Sequence, residues 1–272
     1  MNELLGARRI RELLDRRGIN LTRSLGQNFV IDPNTIRKMV QVAGVEPGDK
    51  VLEIGAGAGS LTLGLIEAGA EVTALEIDAR LLPILDEVLS GTSADIVHAD
   101  ALRVDLGSFE PAAVVANLPY NVAATVVLEA LETCPTARTL TVMTQREVAE
   151  RLAAEPGSRI YGKTSVMVAF YGAATVVAKV SRNAFFPVPN VDSSIVRISR
   201  RAIPDVNPQV FKRVVKAAFA QRRKSVRNGL AVVFGSAARA EECLRSVDVD
   251  PAARPESLSL DDMVRIASAT DG

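Results

Sequence analysis

Apolar residues along this chain change rhythm twice. In residues 4–17, Leu4, Leu5, Ile10, Leu13 and Leu14 recur on one face between charged positions. That spacing predicts a basic amphipathic helix, with Gly18 as its stop. Residues 24–30 read as a loop. Asp32-Pro33 then opens a second helix, with an N-cap carboxylate and proline in the first turn. From residue 50 short apolar runs alternate with helical stretches. The runs 51–54, 71–75, 95–98, 112–116 and 139–143 predict strands, and 61–68, 79–89 and 123–132 predict helices. This alternation implies βαβ units, a parallel sheet and right-handed crossovers. Residues 174–180 and 194–199 are two further β-rich runs. Between them Phe185-Phe186-Pro187-Val188-Pro189 cannot join a central strand. Residues 164–171 fit either element, and helix is the preferred reading.

Near Pro204 the rhythm becomes purely helical. Phe211, Val214, Val215, Ala218 and Phe219 follow helical spacing after Asn207-Pro208. Ser259 and Asp262 form a capping-box pattern before 263–269. The expected fold is therefore α/β, a mostly parallel Rossmann-like sheet with an antiparallel end. A first domain spans 1–202, and a small all-helical domain spans 203–272.

Charge sharpens the picture. Lys and Arg total 32 and so do Asp and Glu, but they are segregated. Residues 1–38 carry a net +4, 39–118 a net −10, 119–200 a net +3, 201–232 a net +7 and 233–272 a net −4. Basic segments flanking an acidic centre suggest a polyanion partner; solvated helix faces give the same pattern. No apolar run is long enough for a membrane span, and the charged N-terminus has no signal-peptide character. Cys134 and Cys243 lack metal or redox spacing, which fits a reducing cytoplasm. With His98 as the single histidine, a multi-histidine metal site is excluded.

Glu53-Ile54-Gly55-Ala56-Gly57-Ala58-Gly59 closes the first parallel strand. Such glycines let a ligand approach the backbone at a helix N-terminus, although a plain tight turn has the same composition. The G-x-G-x-G spacing differs from the dinucleotide fingerprint, and the Lys-Ser/Thr ending of a phosphate loop is missing. Glu76, 21 residues after Gly55, ends the second strand, where a carboxylate accepts from both ribose hydroxyls. Asp100 ends the third strand and suits an exocyclic adenine amine. Together they favour an adenosine-containing cofactor that makes no pyrophosphate demand. S-adenosylmethionine fits better than NAD.

Asn117-Leu118-Pro119-Tyr120 follows the fourth strand. The N6 lone pair of adenine is delocalised and is a poor nucleophile. The Asn117 side-chain carbonyl and the Leu118 backbone carbonyl are placed to accept the N6 protons, which draws the nitrogen towards a tetrahedral shape. Pro119 stiffens the turn, and Tyr120 offers a ring to an extruded base. No strong base is required, since the amine sheds its proton after transfer. A turn with a core tyrosine is the plainer alternative.

These segments, together with Leu25-Gly26-Gln27-Asn28-Phe29-Val30, Phe185–Ser193 and Phe219–Lys224, resemble the small-subunit ribosomal RNA adenine N6,N6-dimethyltransferases, the kasugamycin-susceptibility methyltransferases of bacteria. Val30 replaces the usual leucine, and the 186–190 segment has fewer prolines than usual. The resemblance implies a class I S-adenosylmethionine-dependent methyltransferase. In it Asn28 and Val30 close over the cofactor, Gly55 lies at its methionine end, Glu76 at the ribose and Asp100 at the adenine. Asn117 lies near both cofactor and target. Phe185 would stack on the base opposite Tyr120, or be a core phenylalanine. The implied reaction is two methyl transfers to each of two adjacent adenosines near the 3′ end of 16S rRNA, in a partly assembled small subunit. It yields S-adenosylhomocysteine and belongs to ribosome biogenesis. Monomer is the family expectation. Arg222, Arg223 and Lys224, within the cluster from Gln221 to Arg227, would hold rRNA phosphates. Arg8, Arg9, Arg11, Arg16, Arg17 and Arg23 are weaker candidates for the same role, and His98 reads as a packed or edge residue. A large-subunit enzyme of the macrolide-resistance type, an assembly factor without turnover and, distantly, an NAD oxidoreductase remain rival readings.

Overall fold

A computed structural model describes residues 4–19, 27–221 and 224–270. They form two compact units, one of residues 1–149 and 174–200, the other of residues 150–173 and 201–272.

The first unit is built on a seven-stranded sheet. Its strands are β2 (Lys50–Ile54), β3 (Glu71–Glu76), β4 (Asp95–His98), β5 (Ala113–Asn117), β6 (Thr139–Gln145), β7 (Gly172–Val180) and β9 (Ser193–Arg200). Their order is β4-β3-β2-β5-β6-β9-β7. The pairs from β4 to β6 are parallel, and β6 pairs with β9 antiparallel. The predicted parallel sheet with an antiparallel end is therefore present. Reversal of strand order on either side of β2 puts the β2, β3 and β5 C-terminal ends around one crevice.

Helices α1 (Ala7–Arg16), α2 (Pro33–Ala43), α3 (Ser60–Glu67), α4 (Leu82–Val88) and α5 (Ala123–Thr133) accompany this sheet. The Asp32 cap is present, its carboxylate accepting from the Asn34 and Thr35 N–H groups at 3.2 and 3.1 Å. Helix α4 starts three residues later than predicted. The Asp78 carboxylate accepts the Arg80 N–H and the Asp78 carbonyl the Leu81 N–H, so residues 78–81 form a turn first. His98 is exposed on the edge strand β4.

Residues expected as loop contain a second small sheet. β1 (Phe29–Val30) pairs antiparallel with β8 (Phe185–Phe186), matching Phe29 to Phe186 and Val30 to Phe185. The β8 segment indeed stays out of the central sheet, but two residues before Pro187 have free N–H groups for a short ladder. Phe29, Val30 and Phe185 are all buried, which an uninterrupted apolar pair on each side foreshadows.

The second unit holds α7 (Lys163–Tyr171), α8 (Pro208–Ala218), α9 (Val226–Phe234), α10 (Ala237–Ser246) and α11 (Leu260–Ser268). A helix that the sequence reading omitted, α6 (Arg146–Leu152), runs from the end of β6 to the start of this unit. The sequence reading assigned residues 150–173 to the first domain; they cluster with the helices beyond 200. Packing gives the reason. Phe170 stacks on Phe211 with centroids 4.2 Å apart, and the Tyr161 hydroxyl donates to the Leu258 carbonyl at 3.1 Å. Both partners lie far along the chain, beyond any local pattern.

Two features of the first unit are energetically unusual. At the end of β9, the Arg200 guanidinium donates to the carbonyls of Leu131, Cys134 and Ala137 at 2.8, 2.8 and 3.0 Å. It thereby gives carbonyls at and just beyond the C-terminus of α5 a charged donor. In β2, Glu53 is fully buried, and neither its carboxylate oxygens nor the neighbouring Thr62 hydroxyl makes a well-formed hydrogen bond. Burial pushes the Glu53 carboxyl up to about 8, with Thr62 opposing the shift and the Glu76 carboxylate adding to it.

Arg200→Met is expected to lower the unfolding free energy by about 2–4 kcal/mol in urea titrations, because several carbonyls lose a charged donor. The Glu53 carboxyl binds its proton more tightly in the fold than in the unfolded chain. Its contribution to stability is therefore complete below the ordinary carboxylate range and is lost as pH rises towards about 8. Glu53→Gln should match the parent near pH 4, whereas at pH 8.5 it should melt at a higher temperature and be more stable by on the order of a few kcal/mol. Parallel melting curves at both pH values check this.

Candidate active site

The crevice at the strand ends contains a cavity of about 260 Å³, lined in part by residues 27–30, 53–57, 75–77, 99–102, 117–122 and Phe185. Its floor is set by one backbone oxygen. The Leu75 carbonyl accepts the N–H groups of both Gly55 and Ala56, at 2.9 and 3.0 Å. This ties the glycine turn after β2 to the end of β3. Gly55 and Gly57 have φ of 81° and 60°, in the left-handed region that side chains disfavour. A Cβ on Gly57 would stand 3.0 Å from the Phe29 ring.

Glu76 projects from the end of β3 and is 5% exposed. One carboxylate oxygen accepts the Gly57 N–H at 2.7 Å, and the other accepts the Asp78 N–H at 2.9 Å. Burial raises its pKa, against the pull of those two amides. Each oxygen keeps a further lone pair for a ligand. Asp100 caps its own turn through the Leu102 N–H at 3.0 Å and pairs with Arg103 at 3.3 Å. Ile77 and Leu102, at 52% and 39% exposure, are large aliphatics on the same wall. Sequence reasoning missed both as site residues. An apolar residue next to each acidic strand end was the available signal.

On the opposite wall the Asn117 amide donates from Nδ2 to the Asn28 carbonyl at 3.0 Å. That bond fixes the amide plane and leaves Oδ1 as the end turned from Asn28. Leu118 N–H is held by the Met143 carbonyl at 3.0 Å, so the turn after β5 is anchored on β6. The Tyr120 hydroxyl lies 3.2 Å from Ser193 Oγ. Burial raises the Tyr120 pKa, and the Ser193 bond opposes that shift. Phe185 is 1% exposed yet contributes to the cavity wall. Asn28 and Val30 lie on its rim beside the β1–β8 ladder. All ten residues proposed from the sequence for cofactor and target base thus line one cavity.

A charge cluster missed by the sequence supports the rim. Gln27 Nε2 donates to Asp78 at 2.7 Å, and Arg80 pairs with the same carboxylate at 2.6 Å. The Arg80 hydrogen bond leads in lowering the Asp78 carboxyl to about 2, with Gln27 assisting.

The basic segments fare differently. Arg9, Arg16 and Arg17 all converge on Glu87, at 2.9, 2.7 and 2.8 Å. Arg11 lies 4.6 Å above the Phe186 ring, and Arg8 pairs with Glu12. Arg23, Arg222 and Arg223 lie outside the described residues; Lys224 is exposed, as are Arg213 and Lys216 on α8. Among the described residues no helix is long and apolar enough to cross a membrane.

The ribosomal RNA adenine dimethylase family model matches residues 18–271. A ribosomal RNA small subunit methyltransferase A from Leifsonia xyli is 49% identical over 279 residues, covering 98% of this chain and 100% of that protein. A relative of the same name from Thermobifida fusca is also 49% identical, covering 95% of this chain and 93% of its own length. Among solved structures, the 23S rRNA methyltransferase ErmE aligns with a TM-score of 0.68 at 30% identity, covering 90% of this chain and 100% of that one. A dimethyladenosine transferase from Plasmodium falciparum shares the fold, with a TM-score of 0.76 at 24% identity over 86% of this chain and 94% of its own. With a glycine turn, two strand-end carboxylates and an Asn-Leu-Pro-Tyr turn on one cavity, this chain belongs to the ribosomal RNA adenine dimethylase family.

Proposed function

We propose that this protein transfers methyl groups from S-adenosylmethionine to the N6 amines of two adjacent adenosines near the 3′ end of 16S rRNA, dimethylating each within a partly assembled small subunit. The observation that carries the chemistry is the Asn117–Asn28 bond. It commits the amide's donor end to the protein and leaves a carbonyl oxygen for the target amine. The small subunit is favoured because relatives 44–49% identical over nearly the whole chain bear that subunit in their names. A cytoplasmic monomer is the accompanying proposal.

The residues present fit this cofactor. Gly55 and Gly57 form a cradle that side chains would fill, and the buried Glu76 carboxylate faces the cavity with backbone amides, not a side-chain cation, as its hydrogen-bond donors. Gly55 would hold the methionine end, Glu76 the ribose hydroxyls and Asp100 the adenine amine, with Asn28 and Val30 over them. When bound, the cofactor supplies a methyl group already activated by its sulfonium. Asn117 Oδ1 and the Leu118 carbonyl accept the two N6 protons and draw the lone pair out of the ring. Tyr120 and Phe185 flank the base. Positioning and exclusion of water therefore provide most of the acceleration. No side chain is needed as a strong base, since the alkylated amine is itself acidic enough to release its proton to water. Lys224, with Arg222 and Arg223, would neutralise rRNA phosphates.

Purified protein, methyl-labelled cofactor and both ribosomal subunits from cells lacking this modification provide the direct test. Label is expected in small-subunit RNA as N6,N6-dimethyladenosine. Label in large-subunit RNA alone would assign the protein to the macrolide-resistance type. Cofactor binding without label in either subunit would favour an assembly role without turnover. Within the site, Asn117→Ala should abolish transfer. Asn117→Asp keeps an acceptor but sets it against the Asn28 carbonyl, and should slow turnover about 10- to 100-fold. Both variants should retain much of their S-adenosylhomocysteine binding in calorimetry.

A further inference from the structure

Tyr120 stands on a turn that belongs to no strand ladder. The Pro119 carbonyl takes the N–H groups of Val122 and Ala123, and the chain passes directly into α5. The ring is tethered through its hydroxyl, to Ser193 Oγ. Ser193, by contrast, is 1% exposed and sits in the β6–β9 ladder opposite Gln145. The residue before it is held on both sides: the Asp192 carbonyl accepts the Arg146 N–H at 3.1 Å, and its carboxylate accepts the Arg182 N–H at 3.0 Å. The serine hydroxyl is thus a fixed point of the sheet, and the tyrosine ring is fastened to it. Phe185, on the other side of the cavity, is already fixed by its own ladder with Val30.

We infer that Ser193 is a positioning residue that holds the Tyr120 ring for the second of the two methyl transfers to an amine. This rests on the function proposed above. An unmodified N6 carries two protons, so both the Asn117 and Leu118 carbonyls hold it. After the first transfer N6 carries one proton, and one of those hydrogen bonds is gone. In the second transfer the N6 lone pair forms the new bond to the methyl carbon while the carbon–sulfur bond breaks towards sulfur. The remaining N6 proton then passes to solvent. With one hydrogen bond fewer at the nitrogen, orientation of the base depends more on its flanking rings. Of the two rings, Tyr120 is the one tethered through a side-chain hydroxyl and not by a strand ladder.

The inference is tested by following N6-monomethyl- and N6,N6-dimethyladenosine over time in unmethylated small subunits. The proteins compared are the parent, Ser193→Ala, Tyr120→Phe, the double variant and Ser193→Thr. In Ser193→Ala and in Tyr120→Phe the rate of the second transfer relative to the first should fall about 2- to 10-fold, the span of one net hydrogen bond. Monomethyladenosine should accumulate accordingly. The double variant should be no worse than either single one, because both remove the same bond, and Ser193→Thr should restore the parent ratio. An unchanged ratio, equal loss of both transfers or additive losses would overturn the inference. Because Tyr120→Phe removes the bond without touching the strand, a folding defect in Ser193→Ala alone does not decide the matter. Absence of dimethyladenosine with the parent protein would instead overturn the function itself.

Discussion

The site depends first on a single backbone oxygen. By accepting from both Gly55 and Ala56, the Leu75 carbonyl bends the chain sharply after β2 and draws it against β3. Only then does Gly57 N–H come within 2.7 Å of the Glu76 carboxylate. The same bend requires positive φ at Gly55 and Gly57, which is why the motif is glycine-rich. A side chain at Gly57 would also collide with Phe29, so the turn and the rim above it were shaped together. The ligand crevice of an open parallel sheet forms where strands end and loops diverge. Here one acceptor makes that divergence compact.

Electrostatics in this unit are mostly internal. The acidic surplus between residues 39 and 118 resolves into carboxylates with separate tasks. Glu76 and Asp78 take backbone and side-chain donors at the rim, Glu87 gathers three arginines of the N-terminal segment, and Glu53 is buried without a cation. An exposed ion pair contributes little to stability. Three guanidinium groups on one carboxylate nevertheless specify where α1 lies along α4. Arg9, Arg16 and Arg17 of the basic N-terminus thereby have a partner within the fold, and Arg213 and Lys216 have their charges at the surface.

The sequence was most legible where periodicity and punctuation agree. Strands β2 to β6, their helices and the Asp32-Pro33 start follow from local pattern, and the strand-end acids follow from topology alone. Asn117 was recognisable because its chemistry explains its neighbours. What escaped was set by distant partners. The β1–β8 ladder joins residues more than 150 positions apart through two bonded positions, too few for any alternation to register. Residues 150–173 look like a continuation of the first unit until Phe170 meets Phe211. The arginines showed the same limit: sequence displays their charge, but only the fold displays Glu87 beneath them.

The cavity also divides its work between two kinds of sheet. Its acidic wall is carried by the parallel β2–β3 pair, where successive strand ends present Glu76 and the glycine amides side by side. Its amide and ring wall is carried by β5, β6 and antiparallel β9, through Asn117, the Met143 carbonyl and Ser193. A purely parallel sheet would bring another strand C-terminus, and another loop, to the position beside β6. The antiparallel β9 instead delivers the first residue of a strand there, buried and rigid. That reversal gives a side chain with no role in holding a cofactor a fixed place from which to brace the turn after β5. The departure from parallel topology thus gives the turn after β5 an anchor that a further parallel strand would not supply.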